Sequence, residues 1–118
     1  MISMEISNVG VDIVDIERFR KKEYNENKKF YEKIFSKSEI QYCLSFKNNS
    51  EHFAGKFAIK EAVKKSIKEN IGFREILTDQ KKSKPHVVLK KKLSYRFLVS
   101  VSHEKDYAIA MVIALSNN

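Results

Sequence analysis

The run Val9-Gly10-Val11-Asp12-Ile13-Val14-Asp15-Ile16 limits what this chain can fold into more than any other segment. Its period of two sets Val9, Val11 and Ile13 on one face and Gly10, Asp12, Val14 and Ile16 on the other. Both faces are largely apolar, so the run is expected to be a strand covered on both sides, with the carboxylate of Asp12 held inside it.

The longest helical pattern starts at Ser50, the expected N-cap, with Glu51 in the first turn. Phe53, Ala54, Phe57, Ala58, Ala62 and Ile67 follow at spacings of three and four, and Asn70 and Gly72 are the expected stops. The alanines on this narrow stripe predict the close approach of another element. Upstream, the pairs Phe30/Ile34 and Tyr31/Phe35 suit a short helix. Ser36-Lys37-Ser38-Glu39 is a capping box opening another, with Ile40, Cys43 and Leu44 as its buried stripe. Beyond Gly72 the pattern changes to strands over 74–78, 86–89, 95–102 and 107–115, with turns over 79–85 and 103–106, the last two strands forming a hairpin. A chain of 118 residues holds one core, so the expectation is a single α+β domain over 1–118. It has a leading buried strand, a helical middle and an antiparallel carboxy-terminal sheet.

Two carboxylates stand out. Glu61 lies four residues after Phe57 and three after Ala58, on the apolar stripe, where it either pairs with a neighbouring lysine, ends the stripe in solvent, or serves a site. Asp12 makes a capping or turn hydrogen bond or belongs to a site. If the strand and helix bring the two together, a hard divalent cation would relieve their repulsion, and Mg²⁺ takes one or two carboxylates together with water and substrate phosphates. Lys56, Lys60, Lys64 and Lys65 lie within five residues of Glu61, but a helix cannot aim all four at one ligand. The segments Ser83-Lys84-Pro85 and Ser102-His103-Glu104 offer further polar groups at loop positions. Walker-type, GxGxxG, HExxH and GxSxG signatures are missing from the sequence.

The net charge of +8, from 23 Lys+Arg against 15 Asp+Glu, predicts an anionic partner: nucleic acid, a phosphorylated ligand or an acidic protein. Nucleic acid would account for Lys81-Lys82 and Lys90-Lys91-Lys92 but would leave two acids repelling phosphate, so it is not the expected partner. A lone Cys43 and the absence of Cys/His ligand spacings argue against disulfides and structural zinc. Met1 to Val9 lacks a basic and then apolar signal pattern, and no apolar run approaches the roughly 20 residues that cross a bilayer. The expectation is a cytoplasmic protein with no membrane partner.

Four blocks, in this order, resemble the holo-acyl-carrier-protein synthases. They are Gly10-Val11-Asp12-Ile13 with Arg18; 29–36 (KFYEKIFS) with Glu39; 53–62 (FAGKFAIKEA) with Lys65; and 99–108 (VSVSHEKDYA). The third block is the most specific. The resemblance implies a 4′-phosphopantetheinyl transferase fold, a homotrimer with active sites at subunit interfaces, and transfer of phosphopantetheine from coenzyme A to a serine of an acidic acyl carrier protein, in support of fatty acid biosynthesis. By the same resemblance Asp12 and Glu61 hold Mg²⁺, and Glu61, Lys65 and His103 are catalytic. Glu61 itself or a water on the metal is then the base. Lys56, Lys60, Lys84, Pro85 and His103 contact the coenzyme, and Arg18, Lys29 and Lys33 dock the carrier. Where the family usually has Asn-Gly, this chain has Lys82-Ser83, so no coenzyme contact is carried over to those two residues.

Overall fold

The computed structural model describes residues 4–117; Met1 to Ser3, part of the amino-terminal stretch considered above, and Asn118 lie outside the described residues. The elements run β1 (Met4–Asp15), α1 (Glu17–Arg20), α2 (Lys28–Ile34), α3 (Lys37–Leu44), α4 (Asn49–Ser66), β2 (Ile76–Lys81), β3 (Lys84–Leu89), β4 (Tyr95–Glu104) and β5 (Tyr107–Asn117). An antiparallel sheet has the order β1-β5-β4, and β2-β3 forms a separate hairpin. The class is α+β, as expected, with α4 laid across the three-stranded sheet against β1 and β5.

Small residues set the depth of that packing. Gly10, Asp12 and Val14 of β1 pair with Val112, Ala110 and Ala108 of β5, and Ala54, Ala58 and Ala62 of α4 are buried above them. At Gly10 the backbones touch: a Cβ there would stand 1.9 Å from the Ala62 carbonyl oxygen, so only glycine permits this approach. The close contact predicted by the alanines is the one between α4 and the inner strands.

The expectation of a strand covered on both sides is corrected. Gly10 and Val14 are buried, but Val9, Val11 and Ile13 face outward, with Ile13 63% exposed. Leu98, Ile109 and Met111 continue that apolar face across β5 and β4. The period of two was right, but within one chain only one side of the sheet has a helix to lie under.

The narrow stripe on α4 is corrected too, because every residue from Phe53 to Lys60 is buried, by the sheet on one side and by α1, α3 and β2 on others. A helix wrapped all round shows no clean amphipathic period. Its ends also differ from expectation. Asn48 rather than Ser50 is the N-cap, with no side-chain cap bond, and the helix stops at Ser66. There the Ser66 hydroxyl donates to the Val63 carbonyl, and the chain turns extended so that Ile67 and Ile71 can enter the core. Around the start of α4, Phe19, Tyr31, Phe35 and Phe53 form an aromatic cluster, with Tyr31 and Phe53 centroids 4.5 Å apart. The Ser36–Glu39 capping box is present as read.

The 79–85 turn is shorter than predicted. Gln80 and Lys81 pair with Pro85 and Lys84, leaving Lys82 and Ser83 as a two-residue loop. Both have positive φ, 52° and 64°, the left-handed pair that a type I′ turn demands and that Asn-Gly would supply without strain. The strand twist thus imposes the turn on residues that resist it. Replacing Ser83 with Gly is expected to raise stability by about 1 kcal/mol and Tm by about 4 °C. A thermal melt showing no gain would mean the turn is not strained.

Candidate active site

Lys65 ties β1 to α4. Its Nζ donates to Asp12 Oδ1 at 3.0 Å and to the Val11 carbonyl at 3.0 Å. Glu61 is one turn back from Lys65, and residues four apart on a helix share a face. Asp12 therefore sits over the helix face that carries Glu61. Both acids are half-buried rather than fully enclosed. Among the described residues Glu61 makes no ion pair, so the reading of a buried bridge to a neighbouring lysine falls away. No group of three His, Cys, Asp or Glu side chains suited to a metal occurs among the described residues. Two carboxylates without a third suit Mg²⁺, which keeps places for water and substrate phosphate instead of a closed protein cage.

One turn before Lys60 on the same helix, Lys56 forms the wall of a cleft of ≈ 370 Å³ shared with Tyr42, Glu51, His52, Gln80 and His103. Lys56 is 5% exposed, and among the described residues no carboxylate pairs with it. Burial holds its ammonium below the usual lysine value, opposed in part by Glu39 and Asp79 at longer range. A buried ammonium with no carboxylate partner among the described residues has charge available to an anion. His103 Nδ1 lies 3.5 Å from Glu51 Oε2, and its ring centroid is 6.1 Å from that of His52. His52 stacks on Phe46 at 3.7 Å; burial, aided by His103 and Lys56, lowers its pKa below that of an ordinary histidine.

Lys60 leaves the set of coenzyme contacts. It is 0% exposed, and its ammonium donates to Glu39 Oε1 at 2.7 Å, the Ile34 carbonyl at 2.8 Å and the Phe73 carbonyl at 3.0 Å. With all three N–H groups used and no route to solvent, it pins α4 to the segments around it. The remaining predicted residues lie apart from the cleft. Lys84 and Pro85 begin β3, and Pro85 reaches the cleft only through its ladder partner Gln80. Arg18 is exposed, its guanidinium 5.1 Å from the Phe57 ring centre, one helical turn from Glu61. Lys29 and Lys33 are exposed four residues apart on α2.

The sequence profile of the 4′-phosphopantetheinyl transferase superfamily matches residues 8–112. The chain belongs to this superfamily. Among its relatives, the holo-[acyl-carrier-protein] synthase of Chlamydia felis is 40% identical over 121 residues, covering 95% of this chain and 99% of that protein. The crystal structure of a holo-(acyl-carrier-protein) synthase from Bacillus anthracis in complex with CoA (3′,5′-ADP) superposes with a TM-score of 0.81 at 29% identity, covering 97% and 99% of the two chains. That of the Helicobacter pylori synthase in complex with coenzyme A gives 0.77 at 33% identity, covering 90% and 98%.

In this phosphopantetheinyl transferase, sequence reasoning missed His52 and Thr78 as site residues, and gave Glu51 only a place in the first turn of its helix and Glu39 only its cap. His52 was open to detection, since it lies four residues before Lys56 on one helix face. Thr78 carried no such signal. No helix of the described chain is long and apolar enough to cross a membrane.

Proposed function

We propose that the protein is a holo-[acyl-carrier-protein] synthase, moving 4′-phosphopantetheine from coenzyme A to a serine of an acidic acyl carrier protein with Mg²⁺ held by Asp12 and Glu61. The observation that carries this reading is the Lys65–Asp12 bond, which sets Asp12 against the helix face of Glu61. When bound, the cation would neutralise charge on the pyrophosphate oxygens of the coenzyme. Lys65, already turned to the same place, adds a second positive charge, and Lys56 and His103 line the cleft suited to a further anionic part of the coenzyme. Lys84 and Pro85, beside Gln80, extend that contact surface.

The serine hydroxyl oxygen attacks the β-phosphorus, and the bond from that phosphorus to the bridging oxygen breaks. Adenosine 3′,5′-bisphosphate leaves, and Glu61, which makes no ion pair among the described residues, accepts the serine proton. Arg18, held over Phe57 next to the site, and Lys29 and Lys33 on α2 steer the acidic carrier in, rim charges that act chiefly on association rate. The whole chain works as one domain around the continuous core cluster, in the reducing cytoplasm that suits a buried thiol at Cys43 pushed up to about 12, and its product serves fatty acid biosynthesis.

A homotrimer is the assembly that the open face of the sheet supports. Val9, Val11, Ile13, Leu98, Ile109 and Met111 form an apolar surface that one chain leaves in water. Val11 and Met111 are ladder partners, so Val11→Glu with Met111→Glu sets two charges side by side there. Sedimentation should give a trimer for the wild type and a monomer for the double variant; a monomeric wild type would contradict the assembly.

The activity is tested by incubating the protein with coenzyme A, Mg²⁺ and an apo-carrier protein and weighing the carrier. A gain of one phosphopantetheine mass that disappears with chelator is expected. No gain, where a control synthase gives one, would sink the reading.

A further inference from the structure

The buried polar chain between α3, α4 and β2 has a direction. Glu39 is 2% exposed, and each of its oxygens accepts two hydrogen bonds. Oε1 receives the Lys60 ammonium at 2.7 Å and the Ser36 amide at 2.7 Å. Oε2 receives the Thr78 amide at 2.8 Å and the Thr78 hydroxyl at 2.7 Å. An ionised carboxylate only accepts, so the single proton of the Thr78 hydroxyl points at Glu39. Its lone pairs are thereby turned to the other side, where Lys56 Nζ donates to Oγ1 at 2.8 Å, with the Thr78 carbonyl at 3.4 Å.

The consequence falls on Lys56. Lys56 lines the cleft, its ammonium buried 4.8 Å from the Tyr42 ring centre, and among the described residues its hydrogen bonds are directed to neutral oxygens. The one buried carboxylate within the network, Glu39, is already paired with Lys60. Thr78 thus holds Lys56 in a fixed place without neutralising it. A carboxylate at that point would hold it as well but would cancel the charge an anionic ligand needs; an apolar residue would keep the charge and lose the placement.

We infer that Thr78, its hydroxyl oriented by Glu39, is a positioning residue that presents the Lys56 ammonium to the anionic substrate in the cleft. The inference rests on the proposed contact between Lys56 and coenzyme A. It adds that the contact is prepared in the free protein by a residue that touches no substrate.

The test compares Thr78→Val, which keeps the shape and removes the hydroxyl, with Thr78→Ser, which restores it. For Thr78→Val the KM for coenzyme A should rise about tenfold while kcat changes little, and Thr78→Ser should recover most of the loss. A readout independent of activity is the ¹H–¹⁵N signal of the Lys56 ammonium, made visible when a buried hydrogen bond slows its exchange with water. It should be seen in the wild type and in Thr78→Ser and be lost in Thr78→Val. Loss of the signal together with the KM change supports the inference; an unchanged signal, or a lost signal with an unchanged KM, overturns it. If Thr78→Val does not fold, the wild type answers alone, because a Lys56 ammonium exchanging as fast as surface lysines would overturn the inference. Lys56→Gln separates this result from the premise. A normal KM in that variant removes Lys56 from the coenzyme site, and with it the role given to Thr78, whatever the spectrum shows.

Discussion

Replacing Glu39 with glutamine is expected to cost about 3–5 kcal/mol of folding free energy, because it leaves the Lys60 ammonium buried without its counter-ion. Domains of this size have a total stability of about 5–15 kcal/mol, so the variant should sit close to unfolding. Glutamine keeps the volume and some hydrogen bonds, which makes charge the main thing removed. Burial by itself would raise the Glu39 carboxyl, but the charge and hydrogen bond of Lys60 and the donors from Ser36 and Thr78 outweigh it and hold it below the ordinary glutamate range. A carboxylate lowered on folding stabilises the protein above its unfolded value, and that contribution is lost as pH falls through the still lower folded value. Urea unfolding should therefore show wild-type stability declining below about pH 4.5 more steeply than that of Glu39→Gln. The double variant Glu39→Met with Lys60→Met should recover only the part of the loss that comes from the unpaired charge, since it leaves the Ser36 and Thr78 amides and the Ile34 and Phe73 carbonyls without these partners. Equal acid slopes in wild type and Glu39→Gln would mean that the ion pair is not a main support of the fold.

Replacing Glu61 with glutamine should lower kcat about 10²- to 10⁴-fold and leave the fold intact. No ion pair is broken at Glu61 among the described residues, and the side chain is half-buried, so the stability effect should stay small while the chemical effect is large. This pattern is the reverse of that for Glu39→Gln. The two acids separate in the same experiment, with carrier mass giving activity and circular dichroism giving fold. A Glu61→Gln protein that folds and keeps full activity would reject both the metal and the base roles.

Local signals carried much of the fold. The capping box at Ser36 and Glu39, the alternation through β1 and the β4–β5 hairpin could be read because each depends on neighbours in the sequence. What failed depended on distant packing. The outward face of β1, with Val9, Val11 and Ile13, is more apolar than the inward face, with Gly10, Asp12 and Val14, so hydrophobicity alone did not tell which one α4 would cover. The end of α4 moved forward because Ile67 and Ile71 are drawn into the core, against a helical pattern that continued past Ser66.

The candidate site divided in the same way. Asp12 and Glu61 were visible as carboxylates in apolar patterns, and the structure sets Asp12 on the helix face that carries Glu61. Lys56 and Lys60 are one turn apart and equal in type, yet Lys60 meets the Glu39 carboxylate while Lys56 meets the neutral Thr78 hydroxyl. Partners 21 and 22 residues away decide which lysine is structural and which is available. That information lies in the approach of α3 and β2 to α4, and spacing along α4 does not contain it.

The central claim is that Asp12 and Glu61 share one divalent cation together with coenzyme A. It is tested most directly by adding Mn²⁺ in place of Mg²⁺ to the coenzyme A complex of ¹⁵N-labelled protein and mapping paramagnetic line broadening. Broadening centred on Asp12 and Glu61, displaced by excess Mg²⁺ and abolished in Glu61→Gln, is the result expected. Broadening centred elsewhere, or unchanged in that variant, would contradict the claim.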